Sequence, residues 1–137
     1  MKKLIFILTT LISLSSCTID DTDDSIIGTW VLKNIYTNPG VGAGSWTPVD
    51  NGYQYTFYSN GDFTSTRFSE CTNGTYSIEN DKLILDFGCE GFTTGIEIPK
   101  GTFIEQMNFE NGFLILKPTY LLCIEGCGWK FDKLKKE

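Results

Sequence analysis

The side chains best suited to chemistry are four cysteines, Cys71, Cys89, Cys123 and Cys127, and one arginine, Arg67, in a chain without histidine. Lacking His, the chain lacks the usual neutral-pH general base, the Ser-His and Cys-His nucleophile pairs, and the commonest metal ligand. Catalysis would have to rest on carboxylates, and no pair of them identifies itself. No catalytic residue, cofactor or metal is therefore assigned. Four thiolates could hold zinc, but the spacing lacks two C-x-x-C knuckles. Cys123 and Cys127 could cycle between thiol and disulfide, but no helix N-terminus or basic neighbour is there to lower a thiol pKa. In an oxidising compartment an even set of cysteines reads as disulfides.

The elements that must position these residues are short strands. Residues 27–36, IGTWVLKNIY, are β-branched and aromatic without Pro, and read as the first strand, with the Trp30 indole plugging one end. Residues 37–52 are rich in Gly and Pro and read as a loop carrying Trp46, either as a flap or packed down on the barrel end. Residues 53–58 put Tyr53, Tyr55 and Phe57 on one face. The turn Ser59-Asn60-Gly61 then sets Phe57 opposite Phe63. Strands over 73–79 and 82–87 meet at Asn80-Asp81, matching Ile78 with Leu83 and Tyr76 with Leu85. Further strands are expected over 94–99, 102–109, 113–117, 119–124 and 128–134. Eight to ten strands with frequent Asn-Gly turns and no helical period leave a sandwich or a barrel, and sequential hairpins favour an up-and-down barrel.

This layout selects one cysteine connectivity of three. The hairpin at Asn80-Asp81 brings Cys71 within one residue of the position facing Cys89, slack that a bulge absorbs. Cys123 and Cys127 flank a three-residue loop, so the pairs Cys71–Cys89 and Cys123–Cys127 are predicted. Arg67 falls on the inner face with Phe57 and Phe63. It reads either as a clamp for a carboxylate or as a surface residue at a strand end, since a one-residue slip reverses its face.

Before the first strand lies an address. Lys2 and Lys3 precede an apolar run over 4–14, too short to span a bilayer. Leu14-Ser15-Ser16-Cys17 follows and resembles the lipobox of bacterial lipoproteins, in which the Cys becomes lipidated and N-terminal. That resemblance implies a signal peptide over 1–16 and a membrane anchor on Cys17. Residues 17–26 then form a tether with four carboxylates in five positions, Asp20 to Asp24. Acidic residues there resemble a signal for display on the outer face of the outer membrane, and Asp24-Ser25-Ile26 resembles an O-glycosylation motif. A calcium loop does not fit the spacing.

Residues 27–137 suit one domain. The chain's 41% hydrophobic and 14% aromatic content is that of a globular protein. Net charge is −6, and about −8 once Lys2 and Lys3 leave with the leader, which opposes a nucleic-acid partner.

Gly28-Thr29-Trp30 opening the first strand, the long first loop, the FYSNGDF and GTYSIENDKLIL hairpins and the terminal FDKLKK resemble a lipocalin-like domain of small bacterial lipoproteins. The resemblance spans about 27–134. It departs from the larger lipocalin family in one place: an Arg on the last strand commonly covers the Trp, and here only Lys130 and Lys133 are available. The resemblance implies an all-β, up-and-down barrel acting as a non-enzymatic monomer that binds a small hydrophobic or amphipathic ligand. Trp30, Tyr55, Phe57, Phe63 and Tyr76 would line the cavity, with Arg67 toward a ligand anion and Trp46 on the lid. The alternative is a barrel filled by its own side chains, binding a glycan or an envelope protein through its loops. A continuous void would favour the first and a packed interior the second.

Overall fold

The computed structural model describes residues 25–123 and 126–135. The leader, Cys17 and the acidic residues up to Asp24 lie outside the described residues. Nine strands form one antiparallel sheet: β1 (Gly28–Thr37), β2 (Ser45–Pro48), β3 (Gln54–Phe57), β4 (Asp62–Ser65), β5 (Asn73–Glu79), β6 (Lys82–Phe87), β7 (Thr102–Glu110), β8 (Phe113–Pro118) and β9 (Cys127–Lys133). Neighbours follow chain order, and β9 returns to pair with β1 from Trp30↔Lys133 to Thr37↔Cys127, with a bulge between Leu32 and Asn34. The β1–β9 pairing closes the wall, and among the described strands β2 alone is paired on one side only.

Because β9 takes one edge of β1, β2 and β3 share the other. β3 pairs with Gly28 to Val31 and β2 with Asn34 to Thr37. They act as one wall position interrupted around Asp50, Asn51 and Gly52, so the closed barrel has eight. Leu32 donates to the Tyr53 carbonyl, and Val49 donates to that of Lys33, on either side of the interruption. Gly52 is required here, since a Cβ would fall 2.0 Å from the Leu32 carbonyl oxygen.

Turn chemistry and alternation set the register as the sequence predicts. Phe57 faces Phe63, Tyr76 faces Leu85 and Ile78 faces Leu83. Asn80 and Asp81 both adopt positive φ, as a tight two-residue hairpin turn demands. Both predicted disulfides, Cys71–Cys89 and Cys123–Cys127, are present.

Three expectations need correction. Residues 37–52 are not one loop, because Ser45–Pro48 pair with the upper half of β1. Residues 94–99 are not a strand. The Glu97 carboxylate gathers the hydroxyls of Thr93 and Thr94 and the amides of Thr94, Ile96 and Gly101, which curls the segment round it. Residues 119–123 are likewise irregular after Pro118 ends β8.

The turns at 58–61, 80–81 and 111–112 gather at the end where β1 begins. The segments 38–44, 66–72, 88–101 and 119–123 gather at the other, here the mouth. Trp30 closes the first end. It is 1% exposed, lies 5.8 Å from the Phe109 ring and donates its indole N–H to the Ile26 carbonyl at 2.7 Å. The Lys133 ammonium sits 5.3 Å from the Trp30 ring, filling the place of the missing arginine. Ile26 packs into the same core.

Candidate functional site at the barrel mouth

Between Trp30 and the mouth the barrel is filled. Tyr55, Phe57, Phe63, Phe103 and Phe131 are each no more than 1% exposed, and their rings pack in a continuous chain with Phe87. Three concavities lie on the outer wall or beside loops. Tyr55, Phe57 and Phe63 are thus the filling rather than the lining. Tyr76 is at the closed end, its ring against Phe57 and its hydroxyl donating to the Tyr58 carbonyl at 2.8 Å.

Trp46, expected on a lid, lies on β2. It pairs with Tyr36 across strands, with ring centroids 5.3 Å apart, and Lys130 sits 4.6 Å from its ring. Their neighbours in register, Ile35 and Trp129, pack on the core, so Trp46, Tyr36 and Lys130 belong to the outer wall. Pairing with Tyr36 near the end of β1 fixes Trp46 on the outer wall rather than over the opening.

Arg67 does reach the interior. It lies two residues past the end of β4, and its guanidinium is caged by aromatic rings. Its central carbon is 4.9 Å from Phe68, 5.0 Å from Phe103, 5.1 Å from Trp129 and 5.5 Å from Tyr53. It donates to the Tyr55 hydroxyl at 3.2 Å and to the Tyr120 hydroxyl at 3.1 Å. The partner that sequence reasoning missed is Glu105, fully buried on β7, 3.5 Å from Arg67 and accepting from Tyr120 at 2.7 Å. Two buried atoms of this cluster have no hydrogen-bond partner among the described residues: Glu105 Oε2 and the Tyr53 hydroxyl.

Electrostatics follow from burial. Desolvation pushes the Glu105 carboxyl up to about 7, against the opposing pull of the Tyr120 hydrogen bond and the Arg67 charge. Burial also lifts Tyr53 well above its ordinary value and Tyr55 to about 12, so both remain protonated at neutral pH. Burial works against the Arg67 charge, but the surrounding tyrosine oxygens outweigh it and keep the guanidinium charged. The cluster at pH 7 is therefore a charged Arg67 beside a carboxyl poised between its two states. No three Cys, Asp or Glu side chains among the described residues are grouped to hold a metal ion.

A signal for Glu105 was present. Phe103, Glu105, Met107 and Phe109 alternate on one face of β7, and a carboxylate in an apolar row needs a partner. Tyr120 had none, since it follows Pro118 in irregular chain.

The model of the family described as lipocalin-like domain matches residues 26–108, and the chain belongs to that family. Proteins of this kind are in general non-catalytic binding proteins. Among solved structures, a lipocalin-like protein from Bacteroides uniformis ATCC 8492 is similar at 16% identity, covering 79% of this chain and 97% of that one with a TM-score of 0.47. No curated protein matches.

Proposed function

We propose that the chain is a non-catalytic binding protein, held at the outer membrane by a lipid on Cys17, that takes a compact amphipathic ligand at the barrel mouth rather than a long chain deep inside. The observation that carries this reading is the Arg67–Glu105 cluster. It is a buried polar site at the one end not stoppered by Trp30, with two atoms still lacking partners. Buried polar groups are nearly always satisfied by protein or by ordered water, so this open pair is where a polar ligand head would add bonds. The filled interior below it leaves no room for an extended tail. The anchor reading is supported by Leu14-Ser15-Ser16-Cys17. Ile26 joins the barrel at the closed end, so the chain ahead of it enters on the side opposite the mouth.

Native mass spectrometry of the protein extracted from its own cells tests both parts. The expected result is a one-to-one adduct of a small molecule and an N-terminal peptide carrying acyl chains on Cys17. An unmodified N-terminus that still includes residues 1–16 would overturn the anchor, and a ligand-free mass under gentle extraction would overturn carriage.

The second reading, recognition of an envelope protein or a glycan by the rim, draws on Val41, Ile98 and Leu122. They are 87%, 85% and 95% exposed on three different loops at the mouth end.

A further inference from the structure

We infer that the mouth cluster selects for an uncharged polar head that both donates and accepts a hydrogen bond, such as an alcohol or a primary amide, and rejects a carboxylate. This rests on the proposed binding of an amphipathic ligand at the mouth and specifies its chemistry. A lone buried Arg would favour an anion. Here the Arg67 charge is already engaged by Glu105 at 3.5 Å and by the hydroxyls of Tyr55 and Tyr120. The two open atoms differ in kind. Glu105 Oε2 accepts when ionised, and the Tyr53 hydroxyl donates or accepts. A hydroxyl or amide has the donor that Glu105 Oε2 needs and can also accept from or donate to Tyr53. A carboxylate satisfies Tyr53 alone and meets Glu105 as a like charge.

The groups facing Glu105 are few. Arg67 approaches from the loop after β4, Tyr53 and Tyr55 from β3 and its start, and Tyr120 from the loop after β8. Its strand-register neighbours on β6 and β8 are Leu83 and Pro118, which carry no charge. Rejection of an anion therefore tracks the state of Glu105 itself. It is strong where Glu105 is ionised, above about pH 7, and relaxes below that. Arg67 has 13% of its side chain exposed and Glu105 1%, so Arg67 is the more solvent-facing member of the pair.

Benzyl alcohol, benzamide and benzoate share one compact apolar body and differ in the head. Titrated into the mature, lipidated protein and followed by calorimetry and by the Trp129 indole signal, the alcohol and amide should bind at pH 8 about tenfold more tightly than benzoate. The gap should narrow at pH 5.5. Glu105→Gln should bring benzoate to parity at both pH values. Tyr53→Phe, which keeps the ring, should weaken the alcohol about fivefold or more. Benzoate binding as well as the alcohol at pH 8, or affinities that neither substitution moves, would overturn the inference while leaving ligand carriage standing. No binding by any of the three, with ordered water bridging Glu105 and Tyr53 in a crystal soaked with each, would overturn the inference and the proposed carriage together.

Discussion

Arg67 and Glu105 meet 3.5 Å apart inside the barrel mouth, one from irregular chain and one from the middle of β7, with Tyr120 bridging them by bonds of 3.1 and 2.7 Å. An ion pair this buried does not by itself stabilise a fold, because two charges lose their water. Burial here outweighs the pairing, and Glu105 ends with its carboxyl raised to about 7.

Stability should therefore depend on pH in an unusual direction. A carboxyl whose folded pKa lies above its unfolded value stabilises fully below the unfolded value, near 4.5, and loses that contribution as pH rises through about 7. The swing is of the order of 3 kcal/mol. The melting temperature should fall from pH 5 to pH 8, and Glu105→Gln should flatten that fall. A profile of Glu105→Gln parallel to that of the parent would contradict the assignment.

Glu97 works in the opposite sense at the other side of the scale. Burial disfavours its charge, but hydrogen bonds from Thr93, Thr94 and Gly101 win and hold its carboxyl well below the usual carboxylate range. Its contribution is present above the unfolded value and fades only as pH drops toward the folded one. Glu97→Gln should loosen 88–101 without unfolding the barrel. Hydrogen exchange at the amides of Thr94 and Gly101 should speed up, while β7 amides stay protected.

Trp30 joins Ile26, Phe109 and Lys133 at the closed end. Trp30→Ala should cost about 3–5 kcal/mol in urea unfolding, through the cavity it leaves. Trp30→Phe removes the 2.7 Å bond to Ile26 and should cost less, about 1–3 kcal/mol. Equal losses for the two would mean that the indole hydrogen bond, which both variants remove, rather than volume decides the cost at this end.

The two disulfides should contribute unequally. Cys71–Cys89 closes a sequence separation of 18 and Cys123–Cys127 one of 4. Chain-entropy arguments give about 3 kcal/mol for the first and about 2 kcal/mol for the second. Paired Cys→Ser variants compared by denaturant midpoint measure this directly.

Legibility in the sequence tracked how local the deciding contact is. The pairs Phe57–Phe63 and Tyr76–Leu85 follow from a turn and a period of two, both visible in a short window. β2 was hidden because nothing within its four residues signals a strand. Its order comes from the upper half of β1, a partner reached across seven residues of Gly-rich loop. Residues 94–99 looked like a strand because Ile96 and Ile98 alternate with Glu97. The carboxylate that reads as an outward polar residue in fact turns inward and organises the bend. Arg67 stayed open between an inner-face and a surface reading, because its partner lies 38 residues away on β7 and the pairing emerges only when the wall closes.

Trp30 bonds to the carbonyl of Ile26, and β1 is laced to neighbours on both edges. A pull transmitted through the residues ahead of Ile26 would thus arrive along the axis of the most heavily paired strand. It would load the rungs between β1 and its flanking strands in shear, all together, rather than peeling them one at a time.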